Sequence, residues 1–392
     1  MSEHLQRFQA LDAFLLEHQG LWRPKPFTNL RLPWEQEHPE LAKQLRQLSL
    51  EDAERSELQE ALPAPFPELA QQAQRLSRLQ PLPDQPLPPV TARASAHVPG
   101  RKWQQIQAFS SSLRFTRKPG HWLDWCSGKG HLGRLLALDG TPLTCLEWDA
   151  ALVEEGRQLS QRAGIRAEHR QQDVMAEVHD GLHASYTPVA LHACGDLHVR
   201  LLQVAIAEGC TQLALAPCCY NRIASDQYQP LSQAGQRSRL HLSKDDLGLP
   251  LSETVTAGAR ERRQRDQSMA WRLGFDLYQR LARQSDDYLP TPSLPSAWLH
   301  KPFERYVRDL AQLKALPEPT PQDWQSLEQA GWERLAQVRN LERLRNLFRR
   351  PLELWLALDR VLLLEEHGYR TRLGTFCTDS LTPRNLLLLA ER

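Results

Sequence analysis

Residues 119–149, PGHWLDWCSGKGHLGRLLALDGTPLTCLEWD, constrain the fold more than any other stretch. A short apolar run, His121–Trp125, leads into a turn with glycine at 128, 130 and 133. Leu135 and Leu136 start a helix, and Leu143–Glu147 is a second apolar run. The order is strand, glycine turn, helix, strand. Glycine lacks a Cβ, so a backbone built from it turns sharply and approaches a ligand closely. The spacing G-x-G-x-x-G is a nucleotide-cofactor fingerprint, and Glu147 ends the second strand where an acid accepts from ribose hydroxyls.

One residue bears on which cofactor. Pyrophosphate binds at a helix N-terminus, and a carboxylate beside it repels it. Asp124 lies four residues before Gly128. An acid there suits a cofactor with a positive end, and S-adenosylmethionine carries an ammonium and a sulfonium. A dinucleotide site and a chance glycine turn are the alternatives. On the first reading Asp124, Cys126, Gly128 and Gly130 hold the methionine end and Glu147 the ribose. Asp173 accepts from the adenine amino group, and Val174 donates its backbone N–H. Lys129 and His131 lie in the turn, facing cofactor or substrate. Lys102 and Gln105, on a helix read over 100–117, fall near the same place.

The pattern continues. Helix Ala150–Ala163 stops at Gly164, and strands are expected at Arg166–Arg170, Pro188–His192 and Gln212–Ala216, with a helix Leu197–Glu208 before the last. Two final strands, Tyr369–Phe376 and Asn385–Ala390, read as a hairpin. Alternating strands and helices argue an α/β fold: a Rossmann-like seven-stranded sheet with a closing antiparallel hairpin. Residues 1–99 read as a helical region ending in a stiff proline-rich linker, and 100–220 with 365–392 as the cofactor-binding core. Residues 221–364 read as a mostly helical insertion after the fifth strand, over the ends of the strands, for substrate recognition.

Composition bounds the rest. The net charge of +1 implies no general attraction to nucleic acid or membrane. Seven cysteines, odd in number and several in strands, fit free thiols in a reducing cytosol. The start of the chain does not read as a signal peptide, and no apolar run reaches a bilayer-spanning length. A cytoplasmic protein without a membrane partner is expected.

Three motifs in order carry a resemblance: Asp124-Trp-Cys-Ser-Gly-Lys-Gly-His-Leu-Gly-Arg134, Leu191-His-Ala-Cys-Gly-Asp-Leu197 and Pro217-Cys-Cys-Tyr220. They resemble a branch of the class I S-adenosylmethionine-dependent methyltransferases with D-x-C-x-G-x-G-H-x-G and H-x-C-G-D-L motifs. More distantly, they resemble the eukaryotic tRNA acceptor-stem 2′-O-methyltransferases, whose Cys/His zinc fingers this chain lacks. The resemblance covers about 100–220 and 366–392. It implies S-adenosylmethionine as cofactor and methyl transfer as the reaction.

His192, Cys194, Asp196, Cys218, Cys219 and Tyr220 fall at the carboxyl ends of adjacent strands, where open α/β sheets bind ligands. They shape the acceptor site, with His192 or Asp196 as general base and Tyr220 beside them. Neighbouring strand residues point to opposite faces, so Cys218 and Cys219 are read as holding no metal. A methyl-carrying cysteine is a lesser reading. The acceptor is read as RNA, with a protein acceptor or a non-catalytic scaffold as alternatives. Arginine outnumbers lysine 16 to 2 in Arg260–Arg360. Arg260 with Arg263, and Arg339, Arg343 and Arg350, are spaced to line helix faces, while Tyr220 and Trp271 offer stacking surfaces.

Overall fold

The computed structural model describes residues 2–55, 61–89, 98–176, 182–252, 259–317 and 323–392. Its first half contains α1 Glu3–Glu17, α2 Gln19–Trp22, α3 Pro39–Gln47, α4 Phe66–Ser77, α5 Gly100–Ser111, β1 Trp122–Trp125, α6 His131–Leu136, β2 Leu143–Glu147, α7 Ala150–Arg162 and β3 Ala167–Gln171. Then follow β4 Thr187–Cys194, α8 Asp196–Ala207, β5 Gln212–Cys218, α9 Gln233–Arg237, α10 Ala259–Arg283, α11 Phe303–Leu313, α12 Trp324–Asn346, α13 Arg349–Glu366, β6 Arg370–Thr375 and β7 Leu386–Glu391. Contacts group these residues into two units. One holds Met1–Leu16, Leu76–Val255 and Pro351–Arg392; the other holds Glu17–Arg75 and Thr256–Arg350.

The first unit is built on one sheet of order β3-β2-β1-β4-β5-β7-β6. The first five strands in that order run parallel, and β7 joins β5 and β6 antiparallel. This is the expected seven-stranded sheet with its closing hairpin. Strand order reverses between β1 and β4, and that switch point opens a crevice at the carboxyl ends. β5 is buried along its whole length, and β1 likewise. That is why these strands read as unbroken apolar runs rather than alternating ones. Ile106 and Phe109 of α5 pack with Leu143, Val189, Ala214, Leu387 and Leu389 in one core. Asp149 caps α7 by accepting from Ala151 N at 2.8 Å, and Gly164 (φ +68°) ends the turn that follows it.

The proline-rich stretch is not a free spacer over its described part. Leu82 N donates to Thr375 O (2.9 Å) and Thr375 N donates to Gln80 O (3.3 Å), so the chain lies against the end of β6. Leu82 and Leu87 pack onto the core. Residues 56–60 and 90–97 of the expected N-terminal region and 318–322 of the expected insertion lie outside the described part.

In the second unit α10 and α12 pack closely. A Cβ on Gly331 would come within 2.5 Å of Ala270 O, so only glycine permits the approach. Trp271, Phe275, Phe303, Tyr306 and Leu310 form the apolar cluster beside them. This corrects three expectations. Trp271 is 4% exposed and its Nε1 donates to Glu328, so it offers no stacking surface. Arg343 is 6% exposed and its guanidinium donates to the carbonyls of Asp52 and Arg55. Arg339 is paired with Asp266 at 2.7 Å. A helical row of arginines is read as a phosphate face only if it faces water; here Arg343 satisfies loop carbonyls inside the unit. Arg350 is half-buried, whereas Arg260, Arg262 and Arg263 are exposed. No helix among the described residues is long and apolar enough to cross a membrane.

Candidate active site

The candidate residues lie at or just past the carboxyl ends of the parallel strands. At the end of β1 the backbone enters the left-handed region at Cys126 (φ 54°), Gly128 (φ 55°) and Gly130 (φ 67°). Gly130 has a second reason to be glycine: a Cβ there would sit 2.9 Å from His169 Cε1 and 3.1 Å from Cys145 Sγ. The Cβ position of Gly128 faces open space, with no atom within 4 Å, so its glycine identity follows from its positive φ and not from crowding. Lys129 pairs with Glu155 (2.5 Å), and buried His131 accepts at Nδ1 from Arg134 (2.7 Å). In this structure both serve the turn itself.

Asp124 is 3% exposed and accepts from Gly133 N at 2.9 Å, tying β1 to the first turn of α6. Burial raises its carboxyl to about 7, against the smaller lowering effects of the Gly133 bond, Arg134 and Lys102. An acid so placed waits for a cation. Cys126 beside it is pushed up to about 12, first by burial and then by Glu147 and Asp124.

Glu147 ends β2. Its Oε2 accepts from Gly128 N (2.8 Å) and its Oε1 from Trp148 N (3.0 Å) and Asp149 N (3.1 Å). A carboxylate has about four acceptor positions, so roughly one remains for a ribose hydroxyl. In the turn after β3, Asp173 is exposed and accepts from Met175 N (2.9 Å), while Val174 is buried. Sequence reasoning missed two neighbours. Trp148, directly after β2, is 70% exposed, and Met175, in the turn after the adjacent β3, is 45% exposed. Large apolar side chains left in water at a crevice rim are the signal for a flat apolar ligand, and a tryptophan directly after the acid could have been noticed.

His192, in β4, adopts φ 62° at an irregularity in its pairing with β5. Its Nε2 lies 3.0 Å from Gln105 Oε1, and an amide oxygen only accepts, so Nε2 carries the proton. Nδ1 is then an acceptor, buried and without a partner among the described residues. Burial, Arg384 and Lys102 lower this imidazole to about 4, so it is neutral at physiological pH. Gln105 also donates to Leu381 O (3.2 Å); α5 ends at Ser111, short of the expected 117, but carries Gln105 beside His192.

Gly195 follows β4 at φ 53°, and a Cβ there would fall 1.9 Å from Arg222 O. Asp196 Oδ2 accepts from Ala224 N (2.8 Å) and its own N donates to Arg222 O (3.0 Å), clamping the segment after β5. Behind the crevice, Arg360 donates to His198 Nε2 (2.8 Å), and His198 Nδ1 donates to Ala193 O (3.0 Å). Tyr220 belongs to this buried layer: it is 1% exposed, with the Arg360 guanidinium 4.9 Å above its ring. The expected stacking role of Tyr220 is thereby corrected, because its ring faces no solvent.

The three thiols converge, against the alternation argument. Cys219 takes φ 46°, which turns its sulfur toward those of Cys194 and Cys218, all within 4.8 Å of one another. Hydrogen bonding from Cys218 brings Cys219 down to about 5, and hydrogen bonding to Cys194 and Cys219 with burial pushes Cys218 up.

Residues 101–226 match the family described as a methyltransferase domain. Among solved structures, the chain is similar to the plantazolicin methyltransferase BpumL in complex with SAH, at 12% identity over 46% of this chain and 59% of that one, with a TM-score of 0.23. It is also similar to a Listeria monocytogenes protein assigned to the class I S-adenosylmethionine-dependent methyltransferases, at 13% identity over 55% of this chain and 73% of that one, with a TM-score of 0.24. The chain thus spans less than two thirds of the first structure it matches. The family match falls on β1 to β5 and the crevice just described. Residues 101–226 are thus similar to a methyltransferase domain, and they supply the parallel strands of the seven-stranded sheet.

Proposed function

We propose that the protein transfers a methyl group from S-adenosylmethionine to RNA. The observation that supports the transfer is the set of groups at the β1/β4 switch point: a buried acid near 7, a left-handed turn at 126–130 with open space at Gly128, a Glu147 position still open, and the exposed Trp148. These fit the cofactor's parts in order. Asp124 takes the ammonium, the 126–130 turn closes over the methionine chain, Glu147 takes one ribose hydroxyl, and Trp148 with Asp173 and Val174 frames the adenine. The cofactor supplies an electrophilic methyl on a sulfonium. The chain's task is then alignment of the acceptor, with water kept out.

His192 is the residue proposed to touch the acceptor. Its unpartnered Nδ1 accepts a hydrogen bond and so orients a hydroxyl or amino group. With an imidazole near 4 it orients the acceptor better than it deprotonates it. Asp196, tied to Ala224, is proposed to hold the loop and not to act as the base.

RNA as acceptor is supported by the exposed Arg260, Arg262 and Arg263 at the start of α10. Arginine's fork matches phosphate oxygens, which a lysine meets only as a point charge. The test is incubation of the full chain with methyl-labelled cofactor and extract from cells lacking the protein, RNA and protein fractions kept apart. Label should enter RNA, and His192→Ala should lower its rate while S-adenosylhomocysteine still binds. Label found only in protein would overturn the RNA reading, and no label in either fraction would count against transfer.

A further inference from the structure

Cys194 and Cys218 pair in register at the ends of adjacent parallel strands, with their sulfurs 3.5 Å apart. Cys219 joins them only because its backbone is left-handed, a conformation that strains a non-glycine residue. Several bonds hold that backbone in place. Gly195 N donates to Cys218 O (3.1 Å), Arg222 N donates to Cys219 O (2.9 Å), and Asp196 clamps the following turn. Gly195 itself tolerates no Cβ, because the backbone of Arg222, in the turn after β5, lies against it. The fold thus spends local strain on bringing three thiols to one point.

We propose that this trio binds one zinc ion through three thiolates. Zinc–sulfur bonds of about 2.3 Å in a tetrahedral arrangement place ligand sulfurs roughly 3.8 Å apart. The observed separations begin at 3.5 Å and stay within 4.8 Å, so side-chain rotation alone completes the geometry. Three soft sulfurs select zinc or copper(I) over magnesium or calcium, whose ligands are oxygens. Cys218 is buried while Cys194 and Cys219 are half-buried, so one side of the cluster opens to solvent. The fourth position therefore belongs to water, as in zinc sites with three protein ligands that do chemistry rather than hold structure. Each zinc–sulfur bond replaces an S–H proton, which leaves to solvent, and no electron is transferred. The site does not depend on which acceptor is methylated.

The test uses the full chain, purified in reductant and stripped with a chelator, then titrated with cobalt(II) and afterwards with zinc. Cobalt bound by thiolates absorbs in the near ultraviolet by sulfur-to-metal charge transfer. The expected result is saturation at one cobalt per chain, with the band removed by one equivalent of zinc. Cys219→Ala should lose the band while circular dichroism shows the fold retained, and Cys377→Ser should keep it. Wild-type protein that takes up no cobalt with this absorption, or a band that persists in Cys219→Ala, would overturn the site. So would reduced protein that binds no metal but closes a Cys194–Cys218 disulfide on mild oxidation, which would make the trio a redox pair instead.

Discussion

At the scale of single residues, Asp124 makes the sharpest statement. Its carboxyl stands at about 7 in the fold against an ordinary 3.8. The native state therefore holds that proton more tightly than the unfolded chain does. Stability is lost as pH rises from about 4 to 7 and is constant above, the full penalty being on the order of 4 kcal/mol. Asp124→Asn keeps an acceptor for Gly133 N and removes the penalty. The apo variant should gain over wild type between pH 5 and pH 8, read by urea unfolding, and should no longer bind S-adenosylhomocysteine. A variant less stable than wild type at pH 8 would mean that the carboxylate is already well paired. His192 tilts wild type the other way: with its imidazole lowered from 6.5 to about 4, stability rises with pH across that window. The comparison of variant with wild type isolates Asp124. For wild type, S-adenosylhomocysteine affinity should climb through pH 7 as the carboxyl ionises to meet the ammonium; titration calorimetry at pH 6 and 8 checks the direction. Gly195→Ala is expected to cost at least about 2 kcal/mol, from the clash with Arg222 O and the left-handed backbone together. An unchanged melting temperature would show that the loop yields.

At the scale of elements, β1, β2 and the helix after β2 were legible within a residue or two, because glycine turns and continuous apolar runs mark buried parallel strands; the helix after β1 begins at His131, four residues before the expected Leu135, because the glycine turn itself winds into its first turn. The motif residues were legible as a set. Their partners were not: no local pattern says that Arg360 of α13 reaches His198, or that Gln105 of α5 reaches His192. Cys219 was misjudged because strand alternation was carried one residue past the point where the backbone leaves β geometry. The arginines of α12 were misjudged for a different reason. Periodicity places Arg343 on a face but does not say whether that face meets water or the carbonyls of residues 52 and 55. Arg343→Ala should therefore cost about 2–3 kcal/mol, by leaving those carbonyls unsatisfied, whereas Arg260→Ala should stay within roughly 0.5 kcal/mol. Equal effects in denaturant unfolding would remove the distinction drawn between the two helices.

At the scale of the whole molecule, a net charge of +1 gives no general attraction to nucleic acid, so any RNA affinity must be local. Replacing Arg260, Arg262 and Arg263 together by Glu should abolish salt-sensitive RNA binding and leave the S-adenosylhomocysteine melting shift intact. Wild-type affinity should fall steeply between low and moderate salt, since each phosphate contact releases counterions. Filter binding at three salt concentrations measures the slope, and a flat dependence would argue that the acceptor is not a polyanion.

The proline-rich stretch that lies along β6 has a consequence for how the protein behaves in concentrated solution. An edge strand is a template on which a neighbouring chain can grow. At the Thr375 end of β6 the template is already taken, by Gln80 and Leu82, with Pro81 bridging opposite Thr375. Proline has no N–H, so pairing cannot be passed on to a further strand at that point. At the other margin β3 has five residues and carries a Glu168–Arg170 ion pair. A stray strand from a damaged or half-synthesised copy meets charge at one margin and proline at the end of the other, and sheet-to-sheet fibre growth has little to start from.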